Sequence, residues 1–291
     1  MDLRSHSITK RLGNEAGGYT RILDDLVPTL DGTLYEFLPL EEMPKAPVQV
    51  VNQIYWREIL YRAHWAASAT AIRLRQWIHG LSDAHQQSNL LATAACARGL
   101  IEAAADSNHG LSFIAPTLAR DHERVRSAIE GTLVIGFLAP EIEDRLIHFT
   151  HARKPEKGEL IPPSHVALPV YQYRAVLDKE DSRVAECYAT LCDLTHPGAS
   201  SVLSYAVPED EKARRVRLSL KAEAVSLSEL IGALHEVLPT VLTFGLNPAL
   251  VTLKVLNALP LQQVHAPFMN GINLSNIPAW QKAARLLGTA P

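Results

Sequence analysis

Trp56 to Ile78 reads WREILYRAHWAASATAIRLRQWI, and the spacing within this stretch decides the fold. Trp56, Leu60, Ala63, Ala67, Ala71, Leu74 and Ile78 recur at steps of three and four, which places them on one stripe of a long helix. The pattern sets in after Pro47, and Gly80 reads as its end.

The same period recurs downstream. Ser82 is a plausible cap for a second helix, whose stripe of Leu90, Ala94, Ala97, Ile101 and Ala104 is mostly small and lets a neighbouring helix approach closely. A third helix begins with Pro116 in its first turn and follows Leu118, Val125, Ile129 and Leu133, with Pro140 closing or redirecting it. Four prolines (155, 162, 163 and 169) between His151 and Pro169 mark a long surface loop.

Helix resumes before Ser182, follows Val184, Cys187, Leu191 and Leu194, and stops at His196-Pro197, because the residue before a proline is pushed out of the helical region. Val202–Val207 and Val216–Leu220 are strand-like, and a hairpin turn over Pro208–Ala213 joins them. Ser226-Leu227-Ser228-Glu229 has capping-box spacing and opens an apolar helix bent at Pro239, with a second segment starting near Asn247-Pro248. The last helix fits Pro278 to Leu287, capped by Gly288, with Trp280, Ala283 and Leu287 inward.

The expected fold is therefore all-α: a multi-helix bundle with one small β-hairpin near 202–220. Residues 1–46 lack sustained periodicity and read as an irregular N-terminal arm. Residues 47–291 form the helical body, with a surface loop at 151–169 and a C-terminal helical part, 226–291, that could separate.

Composition narrows the class. A chain of 291 residues with 47% hydrophobic and 20% charged residues can bury its own core, and 28 Lys plus Arg against 31 Asp plus Glu leaves no global positive field for nucleic acid. Three cysteines in helical contexts suit a reducing compartment, and no apolar stretch follows the basic N-terminus as a secretory signal requires, so a cytoplasmic location is expected. Val237–Leu253 carries no charge and reaches the lower length limit for a membrane span, but Pro239, Gly245, Asn247 and Pro248 interrupt it, so a buried helical hairpin is expected and no membrane.

No phosphate loop, dinucleotide fingerprint, nucleophile elbow or zinc-type spacing occurs, so neither cofactor nor metal is expected. His148 and His151, with Glu141 and Glu143 upstream, have conceivable metal-ligand spacing but read first as surface histidines. Arg98, Glu102 and Asp106 fall at i, i+4 and i+8 on an Ala-rich helix: a solvated salt bridge, or a polar face turned into a cleft. In Tyr188-Ala-Thr-Leu-Cys192-Asp193-Leu-Thr-His196-Pro197, the histidine falls at a helix C-terminus, where the partial negative charge favours imidazolium, and Asp193 sits one turn back. Cys192, four residues before His196, reads first as a packed thiol.

The run Ala97-Arg98-Gly-Leu-Ile-Glu102-Ala, followed by Tyr188-x-x-Leu191-x-Asp193-x-x-His196-Pro197, resembles a family of bacterial helical proteins grouped with HEPN-type domains, which include RNA-cleaving toxins and phage-defence proteins. The resemblance covers Pro47 to Ser201. It implies an all-α bundle in which the Arg/Glu pair and the His-Pro turn come together, and it implies binding or cleavage of RNA or nucleotides, with Arg98 and His196 facing phosphate and Glu102, Tyr188 and Asp193 in the same cleft. HEPN ribonucleases carry an Arg followed by four to six residues and a His. Arg57/His64 and Arg145/His151 fit that spacing, although 12 histidines in 291 residues make such matches expected by chance. Two other classes remain open: a homo-oligomeric helical module using the apolar residues from Leu230 to Leu261, and a small-molecule binder with its pocket between helices.

Overall fold

The computed structural model describes residues 3–37, 46–210 and 215–289. It is all-α, with one two-stranded antiparallel hairpin. In chain order the helices are α1 (Leu3–Leu12), α2 (Asn14–Leu26), α3 (Val48–Gln86), α4 (Leu90–Leu111), α5 (Ile114–Arg120), α6 (His122–Ile129), α7 (Pro140–His151), α8 (Val170–Glu180), α9 (Ser182–Thr195), α10 (Ala199–Leu203), α11 (Leu220–Leu256) and α12 (Pro278–Leu287). Strands β1 (Ala206–Asp210) and β2 (Arg215–Leu218) pair between α10 and α11. Residues 211–213 of the expected hairpin turn lie outside the described residues.

Every member of the Trp56–Ile78 stripe is buried, as are Leu90, Ala94, Ala97, Ile101 and Ala104 of α4. Burying side chains of this size contributes about 1.5 to 3 kcal/mol for each large one, which is why the spacing was legible. Gly80 does not end α3, which runs on to Gln86. A Cβ at Gly80 would lie 3.1 Å from Cys96 Sγ, and one at Gly99 would lie 2.7 Å from the Trp77 ring. Glycine's helix penalty of about 1 kcal/mol is accepted there because the α3 and α4 backbones approach closely. Ser82 is consequently interior, and Asn89 caps α4, its Oδ1 accepting from Ala92 N–H at 2.9 Å.

Four further expectations are corrected. Residues 3–12 and 14–26 are helical rather than irregular, because Ile8, Leu12, Ala16, Leu23 and Leu26 are apolar positions that are all buried. The single helix expected from Pro116 is two short ones meeting at Asp121. Pro140 opens α7 as its first residue, where its missing N–H costs nothing. Finally, α11 is one continuous helix through Pro239 and Asn247-Pro248. An interior proline costs about 3 kcal/mol, but Leu238, Val241, Leu242, Leu246, Ala249 and Leu250 are all buried along the same helix. Their burial outweighs two such penalties. This helix is long and apolar enough to cross a membrane by length and composition, and 61% of its most apolar window is buried inside the protein.

The chain divides into two compact units that interleave in sequence. One comprises residues 1–24, 72–105 and 170–245, the other 25–71, 106–169 and 246–291. Neither the loop at 151–169 nor a start at residue 226 separates them, because α3, α4 and α11 each contribute to both.

Candidate functional site

In the first unit, α4 carries Arg98 and Glu102 on one face and α9 carries Tyr188. Arg98 Nε donates to Glu102 Oε1 at 2.9 Å, the Tyr188 hydroxyl donates to the same carboxylate oxygen at 2.6 Å, and Arg98 Nη1 donates to Thr195 Oγ1 at 3.2 Å. Burial, followed by the adjoining Glu102 carboxylate, raises the Tyr188 phenol. A second guanidinium, Arg174 on α8, lies 3.7 Å from the Tyr188 ring centre and donates to Asp178 Oδ2 at 2.9 Å. Its Nε and Nη1 are buried with no hydrogen-bond partner, so the π face is their main compensation.

The charges balance, Arg98 with Glu102 and Arg174 with Asp178. The Arg98 and Glu102 side chains are 29% and 32% exposed, so their ion pair contributes little. This cluster clasps α4, α8 and α9.

His196 and Asp193 do not join it. His196 is the C-cap of α9, its backbone already extended at φ −82° and ψ 145°, so its side chain leaves the helix surface. Both residues are exposed, and neither side chain makes a hydrogen bond among the described residues. Cys192 is half-buried, and its carbonyl accepts the His196 N–H at 2.9 Å. Arg174 stands outside the residues expected from the sequence, because it lies on a separate helix, α8, ahead of the one expected to run to His196. Its signal was the i, i+4 spacing to Asp178.

The second unit holds a different constellation. Asp106, expected to continue the Arg98/Glu102 face, instead meets His148 on α7, with His148 Nε2 2.6 Å from Asp106 Oδ1. Both side chains are mostly buried, at 15% and 17% exposure. The His109 ring lies 6.2 Å from that of His148, centre to centre. Arg145 Nη1 donates to the His109 carbonyl at 2.7 Å and lies 3.4 Å from His109 Nε2. Burial first, then the neighbouring Arg145 and His148, holds the His109 imidazole below its ordinary value, with Asp106 opposing.

Local sequence explains the placement. Pro140 with Glu141 and Glu143 starts α7, and His148 and His151 end it, in accord with the helix dipole. Gly110 opens a seat on α4 for Phe149, whose ring would be 2.3 Å from a Cβ there. The chain entering α7 is pinned to α3. The Asn52 amide donates to the Leu133 and Ile135 carbonyls and accepts from Phe137 N–H, while Trp56 Nε1 donates to the Phe137 carbonyl.

Compared with family models, curated proteins and solved structures, the chain matches none.

Neither arginine hydrogen-bonds the histidine of its own spacing among the described residues. Arg57 is exposed while His64 is buried. Arg145 turns to His109, whereas His151 Nδ1 lies 2.7 Å from Thr150 Oγ1 and its ring is 4.7 Å from that of His165. Among the described residues no three His, Cys, Asp or Glu side chains are grouped to hold a metal ion.

Proposed function

We propose that the chain is a HEPN-like helical protein that binds RNA and cleaves it with His109 as general base and His148 as general acid. The observation that carries this reading is the Asp106–His148 pair at 2.6 Å beside a second imidazole and a guanidinium. RNA cleavage by internal transesterification needs a base for the 2′-hydroxyl proton, an acid for the leaving 5′-oxygen, and positive charge beside the phosphate.

His109, held toward its neutral form, serves as the base. As it takes the 2′-hydroxyl proton, the 2′-oxygen bonds to phosphorus and the bond to the 5′-oxygen breaks. His148 supplies the proton to that oxygen, and Asp106 fixes the ring and balances its charge. Arg145 faces the phosphate. The products are a 2′,3′-cyclic phosphate and a 5′-hydroxyl.

The test is incubation of end-labelled single-stranded RNA with the protein in EDTA. Cyclic-phosphate ends are expected from wild type, and their loss from His148→Gln and His109→Gln at unchanged melting temperature. Cleavage that survives both substitutions, or wild type that leaves RNA intact, overturns the reading.

A second reading, a homo-oligomeric interaction module, is favoured by one observation. Val202, Leu203, Val216, Leu218 and Leu220, around the hairpin, are all more than half exposed. In contrast, Leu230, Leu234, Val237 and Leu238 of the segment first considered for this role are buried. Sedimentation of wild type and Leu218→Ser decides it: a dimer lost on substitution supports the module, and a monomer throughout removes it.

A further inference from the structure

In the second unit, the end of α11 and the start of α12 border a cavity of about 370 Å³ lined by Lys254, Trp280 and residues 270–275. Lys254 Nζ donates to the Met269 carbonyl at 3.1 Å and to the Ile272 carbonyl, and lies 5.2 Å from the Trp280 ring centre. Two carbonyls satisfy two of the three ammonium protons, and the indole face compensates part of the charge. No carboxylate pairs with Lys254 among the described residues, and none lines the cavity. Burial alone, with no charged neighbour contributing, lowers this lysine below its ordinary value.

The remaining polar lining is rich in donors. Asn270 spends its Oδ1 on the Asn257 amide at 2.9 Å, which leaves its own NH₂ to donate. The backbone N–H groups of Asn273 and Leu274 make no hydrogen bond among the described residues.

A partly buried cation with no counter-charge, in a cavity that offers donors and no acid, is matched by an oxyanion. We propose that this cavity binds the anionic head of a small organic phosphate or carboxylate, with Lys254 as counter-ion and Asn270 as a neutral donor. The inference does not depend on RNA cleavage, because none of these residues belongs to the His109/His148 pair.

Titration calorimetry and thermal melting at constant ionic strength, with inorganic phosphate, adenosine monophosphate and acetate as separate probes, test it. Saturable binding of at least one probe is expected, with a rise in melting temperature that Lys254→Met lowers at least tenfold in effective affinity. Tighter binding of the nucleotide than of phosphate identifies an organic carrier, equal binding shows that free phosphate suffices, and binding of acetate alone identifies a carboxylate. Asn270→Leu, at the exposed rim, weakens the same binding and carries the test if Lys254→Met fails to fold. Absence of saturable binding for all three probes, or equal affinity in the substituted proteins, overturns the proposal.

Discussion

His148 Nε2 and Asp106 Oδ1 lie 2.6 Å apart, joining the last turn of α7 to α4. Charge-assisted bonds of this length are stronger than neutral ones, and here both partners are mostly withdrawn from solvent. Asp106→Asn keeps the shape and removes the charge. If His148 is the acid in RNA cleavage, that change lowers kcat by about a hundredfold or more, while RNA binding, read by fluorescence anisotropy, changes little. An unaltered kcat separates the pair from the chemistry.

The environment of His109 makes a prediction that needs no activity. Burial first, then Arg145 and His148, hold its titration down, and Asp106 opposes them. In a histidine-resolved NMR titration, Arg145→Gln is therefore expected to raise the His109 midpoint and Asp106→Asn to lower it further. Shifts of the opposite sign would break the electrostatic account of this cluster.

Buried His64 gives the protein an acid-sensitive component of stability. Tyr35 Oη lies 2.7 Å from its Nδ1, and burial lowers its pKa from 6.5 to about 4. The unfolded chain takes up a proton as pH falls through 6.5, whereas the folded chain resists until about 4. This contribution is thus complete above pH 6.5 and is lost as the pH falls toward 4. A difference of this size corresponds to about 3 kcal/mol. Chemical denaturation between pH 7 and 4.5 is expected to show the loss, and His64→Gln is expected to flatten the slope.

Two glycines in α11 should respond oppositely to a larger side chain. A Cβ at Gly245 would lie 2.8 Å from Ala104 Cβ and 3.0 Å from its Cα, whereas nothing lies within 4 Å of one at Gly232. Gly245→Val is expected to destabilise by about 1 to 3 kcal/mol through overpacking, and Gly232→Ala to stabilise by about 0.5 to 1 kcal/mol through helix propensity. Melting temperatures of the two variants check both signs.

In the clasp of α4 and α9, Tyr188→Phe removes the donor to Glu102 and is expected to cost about 0.5 to 1.5 kcal/mol. His196→Ala is expected to leave the melting temperature within about 0.5 kcal/mol of wild type, since its side chain is exposed and makes no hydrogen bond among the described residues. A large loss of stability at His196 would show that it shares the clasp after all.

Where burial followed a regular period, the sequence determined the outcome by itself. The stripe from Trp56 to Ile78, the stop at His196-Pro197, and the last helix from Pro278 to its left-handed cap at Gly288 need only local geometry and the gain from hiding apolar surface. The tertiary structure decided whether a local breaker prevails. Pro239 and Pro248 oppose helix locally, yet their flanking leucines and valines are buried and keep α11 whole. It also decided which charged residue meets which. Arg98, Glu102 and Asp106 share a spacing, but Asp106 turns to a histidine 42 residues away while Glu102 meets a tyrosine 86 residues away. A helical repeat states only which side a residue occupies. Which partner waits on that side depends on close approaches such as Gly110 against Phe149, which exist only once the helices have packed.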